Sequence, residues 1–448
     1  MSGIQFIGEF SSDHPHPGSL ITPKPFPNAS GQIKDPLLHI AVAQVLPDES
    51  GLCGQTQDGS SGQAGLEKLE EWASNAAKKG ADVVVFPEYF LSGATHDLWR
   101  RVREAQRKQA HDLNQVGDGE QSESNQAHQR AEGNEKAWIE VIIHVAKKHN
   151  VDIVAGTVVE LGTQPHADIL AQHPVSATSS TDPTKDQDKI PHRVQKKPKH
   201  DSDSLSDNHE NQLFNTSYYI SRQGCVLHRY TKQNLWHPER ETLLHSQQQT
   251  HPEQHDGPST FIIETKRGTR LRAAMAICWD LAWYSRFYQM LTPPFTTGEP
   301  SDLDKEGQIP GPDVIFAPTC WYASDGGPKA LLWNGVGEAQ MLDTLCLSRA
   351  VELESVLVMC NVAGPFLDEK SVEQLRAELK RQHDEGLADE ELETPLIGLG
   401  RSRICAPFLN IVAEVPDQRE AMLLQSVDLN LLRDAREMYR MRYDHAQR

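Results

Sequence analysis

Residues 272–280 read Arg-Ala-Ala-Met-Ala-Ile-Cys-Trp-Asp. The short apolar run Ala273 to Ile277 follows a basic segment, Lys266-Arg267-Gly268, and ends on Cys278. Small and branched apolar residues bounded this way predict a buried strand. A cysteine at the C-terminal end of such a strand stands where open α/β sheets place their reactive groups. Taken alone, Cys278 reads more readily as one more small buried side chain, which is what most free cysteines are. A glutamate and a lysine in similar positions elsewhere change that balance.

Working outward, further apolar strands are predicted at Leu38 to Val45, Ala81 to Phe86, Val151 to Val159, Asp313 to Pro318 and Val356 to Cys360. Leu66, Leu69, Trp72, Ala73 and Ala76 mark one amphipathic helix; Trp138, Val141, Ile142, Val145 and Ala146 mark another over 136–149. A third helix carries Met341, Leu342, Leu345 and Arg349 to Glu352. Phe214 to Ile220 and Val226 to Tyr230, separated by a turn with Gly224, read as a β-hairpin. Late strands fall at Ser402 to Ala406, Leu409 to Val415 and Leu423 to Asp428, before a basic tail. Helices alternating with strands, then antiparallel pairing, predict an α/β fold. Two halves of like pattern suggest a four-layer α-β-β-α sandwich with two mixed sheets.

The chain has 448 residues and a net charge of -19. Residues 1–36, rich in Pro, Ser and Gly, read as a flexible arm. Residues 37–448 read as one domain with a core of about 300 residues, interrupted by polar insertions near 100–135, 162–211 and 367–394. The last of these reads as an exposed helix. The acidity, with no basic stripe to offset it, argues against nucleic-acid binding. No long apolar run predicts a membrane span. Seven cysteines, mostly inside apolar runs, suit a reducing compartment, and the start lacks the pattern of a secretory signal, so a cytoplasmic location is expected. The histidines scatter through polar tracts without paired metal-ligand spacing.

Three segment ends carry the chemistry: Phe86-Pro87-Glu88, Lys232 just past the hairpin, and Ile277-Cys278-Trp279-Asp280. Thiol attack on an amide or nitrile carbon needs a nucleophile, a base and a cation beside the developing negative charge. A glutamate can take the thiol proton and return it to the departing nitrogen. A lysine ammonium can stabilise the tetrahedral oxyanion, with help from the backbone N–H after the nucleophile. None of the three segments offers a histidine partner for a Cys-His arrangement.

This set resembles the nitrilase superfamily of carbon–nitrogen hydrolases. The order Glu, Lys, Cys matches, as do the words GADVVVFPEYFLSG around Glu88, YTKQNLW around Lys232 and AMAICWDLAW around Cys278. PTCW at Trp321, SRAVE at Glu352, CNVAG at Asn361 and GLGRSRI near Gly400 support it. The resemblance runs from about Leu37 to Tyr443, outside the insertions. It implies Cys278 as nucleophile, Glu88 as general base and acid, and Lys232 as oxyanion stabiliser, with no metal or organic cofactor. It also implies a second glutamate that positions substrate and water. Glu239 in Pro238-Glu239-Arg240-Glu241 is the best match, Glu241 a weaker one, and a surface ion pair with Arg240 is the plain alternative. Trp279 is expected to supply a backbone donor and a pocket wall. Trp321 reads as pocket wall or core aromatic. Glu352 reads as a structural acid.

Cys-Trp-Asp is similar to the branch that cleaves N-carbamoyl amines, although Leu281-Ala282-Trp283 departs from that branch's usual continuation. The expected activity is therefore hydrolysis of a small linear amide or N-carbamoyl compound through a cysteine thioester, releasing ammonia. Nitrile hydrolysis is the second reading. A catalytically silent scaffold or binding protein, with the insertions as working parts, is the alternative of another class. The partner is a small molecule, with neither nucleic acid nor membrane, and the resemblance implies a homo-oligomer.

Overall fold

A computed structural model describes residues 4–10, 35–47, 63–101, 103, 138–161, 212–246, 259–291, 301–304, 311–366, 368–385 and 394–446. Two mixed sheets dominate it. The first contains β1 (Phe6–Ile7), β2 (Leu37–Gln44), β3 (Val83–Val85), β4 (Asp152–Val154), β5 (Val158–Leu161), β6 (Leu213–Ile220), β7 (Val226–Thr231) and β14 (Ala421–Asp428). The second contains β8 (Phe261–Glu264), β9 (Arg270–Met275), β10 (Val314–Thr319), β11 (Val356–Asn361), β12 (Arg403–Ala406) and β13 (Asn410–Glu414), in the order β13-β12-β11-β10-β9-β8.

Strand alternation explains the layering. In β2, Leu38, Ile40 and Val42 enter one core, whereas Ala41 and Ala43 enter another. In β3, Val83 and Val85 take the first side and Val84 the second. The first core also holds Ala273 to Ile277, Val314 to Ala317 and Val356 to Cys360, whose alternate side chains face both sides of the second sheet, so it fills the space between the sheets and continues beneath the helix on the far side. The second is closed by α1 (Gln63–Lys79) and α2 (Trp138–His149), which contribute Leu69, Trp72, Ala73, Ile139 and Ile142. On the second sheet, α5 (Gly337–Glu352) packs against β11 and β12 through Leu342, Cys346 and Ala350. The order of layers is α-β-β-α, as expected. Each buried Val, Leu or Ile contributes about 1.5–3 kcal/mol relative to exposure, so period-two patterning fixes which face of each strand turns inward.

Local chemistry ends the elements where the sequence suggests. Helix α1 closes on Lys78, Lys79 and Gly80, whose φ of +97° suits a C-terminal glycine cap. The hairpin pairs β6 with β7, Thr216 opposite Thr231, which fixes where Lys232 leaves the sheet. Among the described residues no helix is long and apolar enough to cross a membrane.

Several expectations need correction. Residues 4–10 are not a free arm: β1 pairs in parallel with β14, and Gln5 O accepts from Met422 N at 2.8 Å. The run Val151 to Val159 is two strands, because the chain breaks at Gly156. That residue has φ +69°, and a Cβ there would stand 2.1 Å from Pro87 O. The segment read as an exposed helix near 367–394 contains α6 (Glu369–Asp384), but Leu379 is buried with Leu331 of α4 (Gly327–Trp333) and Ile397. Strand β8 was not foreseen, nor was the folding of the tail into α7 (Asn430–Met438) and α8 (Met441–Ala446). A six-residue helix, α3 (Tyr284–Gln289), follows the Cys278 turn. The insertion at 162–211, and that at 100–135 beyond its first few residues, lie outside the described residues.

Candidate active site

Glu88 follows β3, Lys232 follows β7, and Cys278 follows β9, so two of the three come from one sheet and the third from the other. They line one cavity of about 250 Å³ with Glu239, Trp279 and Trp321.

The Lys232 ammonium is the hub. It donates to Glu88 Oε1 and to Glu239 Oε1, each at 2.7 Å, with all three side chains buried. Burial works against its charge, but the carboxylates of Glu239 and Glu88 outweigh that and hold it protonated well above the ordinary lysine range. Glu88 Oε1 also accepts from Asn215 Nδ2 at 2.8 Å, and Oε2 accepts from Cys320 N at 2.9 Å. Burial raises the Glu88 pKa to about 7; Lys232 opposes the shift and the charge of Glu239 adds to it. The Cys278 thiol donates to Cys320 O at 4.0 Å, on the same residue whose N–H holds this carboxylate. A carboxyl titrating near neutrality can hold or release a proton as a reaction demands.

Cys278 opens a short 3₁₀ turn, Cys278–Ala282, with φ +45°. A non-glycine residue in this region costs about 1–3 kcal/mol, retained where the surroundings force it. Here the turn lifts the thiol out of the strand line toward the cavity. Burial, then the Glu88 charge, pushes the thiol pKa well above its ordinary value. A thiol held in its neutral form is a weak nucleophile unless a neighbouring base takes its proton. Tyr89 has a similar backbone, φ +57°, and its N–H donates to Thr157 Oγ1 at 2.9 Å. The break in the strand at Gly156 is therefore the place where the chain grips the segment carrying Glu88.

Glu239 lies in the 3₁₀ helix His237–Glu241 and is 5% exposed. It accepts from Lys232, from the Tyr89 hydroxyl, and from Trp236 N at 2.6 Å. The surface ion pair with Arg240 is absent; Arg240 donates to Leu235 O at 3.1 Å instead. Glu241 is exposed. Trp279 meets the rings of Trp236 at 4.5 Å and Trp321 at 5.5 Å, forming an aromatic wall. Trp321 is buried and still lines the cavity; its Nε1 donates to Glu338 Oε2 at 2.7 Å. Glu352 pairs with Arg349 away from the cavity lining. Asn361 accepts from Trp321 N at 2.8 Å and donates to Trp321 O and Gly400 O, each at 2.8 Å, which joins three of the sequence words.

The sequence reading missed Asn215, Tyr89, Cys320, Asp325 and Glu338. Asn215 was visible only as a polar residue inside an apolar strand. Asp325 and Glu338 face the same cavity, and burial pushes the Asp325 carboxyl up to about 7.

Residues 50–186 match the family model for carbon-nitrogen hydrolases. The match spans less than half of the chain. The matched stretch includes Glu88 and ends before Lys232 and Cys278. A search of curated proteins gave no match. Among solved structures, a Saccharomyces cerevisiae member of branch 10 of the nitrilase superfamily is similar, with 17% identity, 90% of this chain and 94% of that chain covered, and a TM-score of 0.48. A Xanthomonas campestris CN-hydrolase superfamily protein gives 14%, 91%, 97% and 0.49. A mutant of the Nesterenkonia AN1 amidase gives 13%, 90%, 96% and 0.45.

Proposed function

We propose that this protein is a hydrolase that cleaves the carbon–nitrogen bond of a small linear amide or N-carbamoyl compound through a thioester on Cys278. The observation that carries the reading is the Lys232 ammonium held 2.7 Å from both Glu88 and Glu239 in the cavity that the Cys278 thiol also faces.

Glu88 takes the thiol proton as Sγ bonds to the carbonyl carbon. The carbonyl electron pair moves to oxygen, where Lys232 and the backbone N–H of Trp279 supply positive charge. The C–N bond then breaks, nitrogen leaves with the proton from Glu88, and an acyl-thioester remains. Water gives a proton to Glu88 and its oxygen to the acyl carbon; the C–S bond breaks and the sulfur recovers the proton. A primary amide and one water thus become a carboxylic acid and ammonia, and a carbamoyl group gives its amine, ammonia and carbon dioxide. Glu239 anchors the ammonium and orients substrate and water. Trp279 and Trp321 are the walls against which a small flat amide rests. The small volume and buried walls favour a compact substrate over a peptide chain.

The test is ammonia release from matched amide, N-carbamoyl and nitrile substrates, alongside the Cys278→Ala variant. Turnover of an amide or carbamoyl compound that vanishes in the variant, with an acyl adduct on Cys278 of the native protein, is expected. Release that persists without the thiol overturns the reading.

A further inference from the structure

We propose that Asp280 is the positioning residue that keeps Lys232 in register with the Cys278 thiol across the two sheets. The inference rests on the catalytic roles proposed above. Asp280 is fully buried, two residues beyond the nucleophile, and both of its oxygens are doubly engaged. Oδ2 accepts from Ile277 N at 2.9 Å and from the Tyr230 hydroxyl at 2.7 Å. Oδ1 accepts from Asn234 N at 2.9 Å and from Asn234 Nδ2 at 2.8 Å.

Those donors fall into two groups. Ile277 N belongs to the Cys278 turn, which is also closed by Asp280 N donating to Ile277 O at 2.9 Å. Tyr230 and Asn234 stand two residues either side of Lys232, on the segment leaving the other sheet. One carboxylate therefore clasps the nucleophile's turn and both flanks of the lysine's segment. Tyr230 is itself set by the Arg286 guanidinium, 4.2 Å over its ring, while Arg286 donates to Met275 O at 2.6 Å on the strand leading to Cys278. Four donors converge on a carboxylate, which is acceptor-only; an amide in its place would turn its own N–H₂ toward two of them. A displacement of about 1 Å in a reacting group costs on the order of 10²-fold in rate.

The test compares Asp280→Asn, Tyr230→Phe and Asn234→Ala in the full chain. It reads kcat and KM on the hydrolysed amide, and the pH midpoint for iodoacetamide alkylation of Cys278 followed by mass spectrometry. Asp280→Asn is expected to lower kcat on the order of 10²-fold with KM little changed. Tyr230→Phe, which keeps the ring under Arg286, and Asn234→Ala each lose one hydrogen bond to a charged acceptor, and kcat should fall about tenfold. Because Lys232 favours the thiolate, its displacement should move the alkylation midpoint upward in the same variants. A residue that only closes the Cys278 turn would be indifferent to Tyr230 and Asn234. Unchanged kcat and an unchanged midpoint in both of those variants overturn the proposal. If the native protein hydrolyses no amide, the hydrolase reading fails separately, and the alkylation midpoints alone decide whether Asp280 sets the lysine against the thiol.

Discussion

Glu88 and Lys232 stand 144 positions apart in the chain and meet at 2.7 Å, both about 1% exposed. A buried pair of this kind keeps each partner tolerable only while the other is present, since the desolvation of either charge alone is worth several kcal/mol. The chemistry proposed for the cavity depends on that mutual support, and so does the response to pH.

Glu88 titrates near 7, above its ordinary value, because it is buried. In the proposed role of base it acts as the carboxylate, so kcat/KM should rise with pH through about 7 and level off above it. Stability should move the other way. A carboxyl with a raised folded-state pKa favours folding fully below its unfolded value, near 4.5, and that contribution disappears as pH rises through about 7. Glu88→Gln should abolish the rising limb, cost on the order of 10²–10⁴-fold in kcat, and flatten stability between pH 4.5 and 7. Rate profiles and urea titrations across that window check both statements.

Lys232→Met removes the cation and leaves Glu88 and Glu239 facing each other. Losing an oxyanion donor should reduce kcat on the order of 10²–10³-fold. Breaking a buried ion pair on one side should destabilise the protein by about 3–5 kcal/mol. The same variant should raise the Glu88 pKa further, since the ammonium lowers it. Chemical denaturation and the pH-dependence of residual activity measure these effects. A stable variant with native turnover would contradict the hub role.

Tyr89→Phe removes the hydroxyl donated to Glu239 while keeping the ring against Trp99, 4.9 Å between centroids. A hydrogen bond to a charged acceptor is worth about 1.5–3 kcal/mol, so kcat/KM should fall at least about tenfold. Tyr89 has no hydrogen bond to Cys278, and alkylation of that thiol should proceed at the native rate. Paired kinetic and alkylation measurements separate the two.

Gly156→Ala puts a Cβ 2.1 Å from Pro87 O at a residue with φ +69°. Either the break between β4 and β5 or the Pro87-Glu88 segment must move. Loss of both stability and turnover is expected, whereas Gly268→Ala, with open space at its Cβ, should lose only what its positive φ costs, about 1 kcal/mol. Comparing thermal melting and kcat for the two variants isolates the contact from the backbone preference.

The chain announced its strands wherever an apolar run was long and its end polar, which is why β2, β3, β9, β10 and β11 were legible. The same rule exposed Glu88, Lys232 and Cys278, because reactive side chains sit where buried strands run out. Glu239 was legible only through the resemblance, as a second glutamate shortly after Lys232, and the structure separates it from Arg240 by turning it inward. Other features depend on contacts between distant segments. The break at Gly156 answers to Pro87, and Asn215 matters because Glu88 lies beside it. Asp280 reads in sequence as a branch marker, yet in space it clasps Tyr230 and Asn234. Leu379 was one apolar residue in a charged helix until Leu331 and Ile397 covered it. No local pattern encodes such meetings.

The two-residue strand Phe6–Ile7 has a consequence beyond packing. It covers the outer side of β14, and Gly8 lets the chain turn away there, since a Cβ at that point would stand 2.5 Å from Leu424 O. Without this cover, Met422 would offer an unspent amide group along a sheet rim, a template for stacking one molecule against another. Phe6 and Ile7 thus occupy a rim that would otherwise be open to pairing.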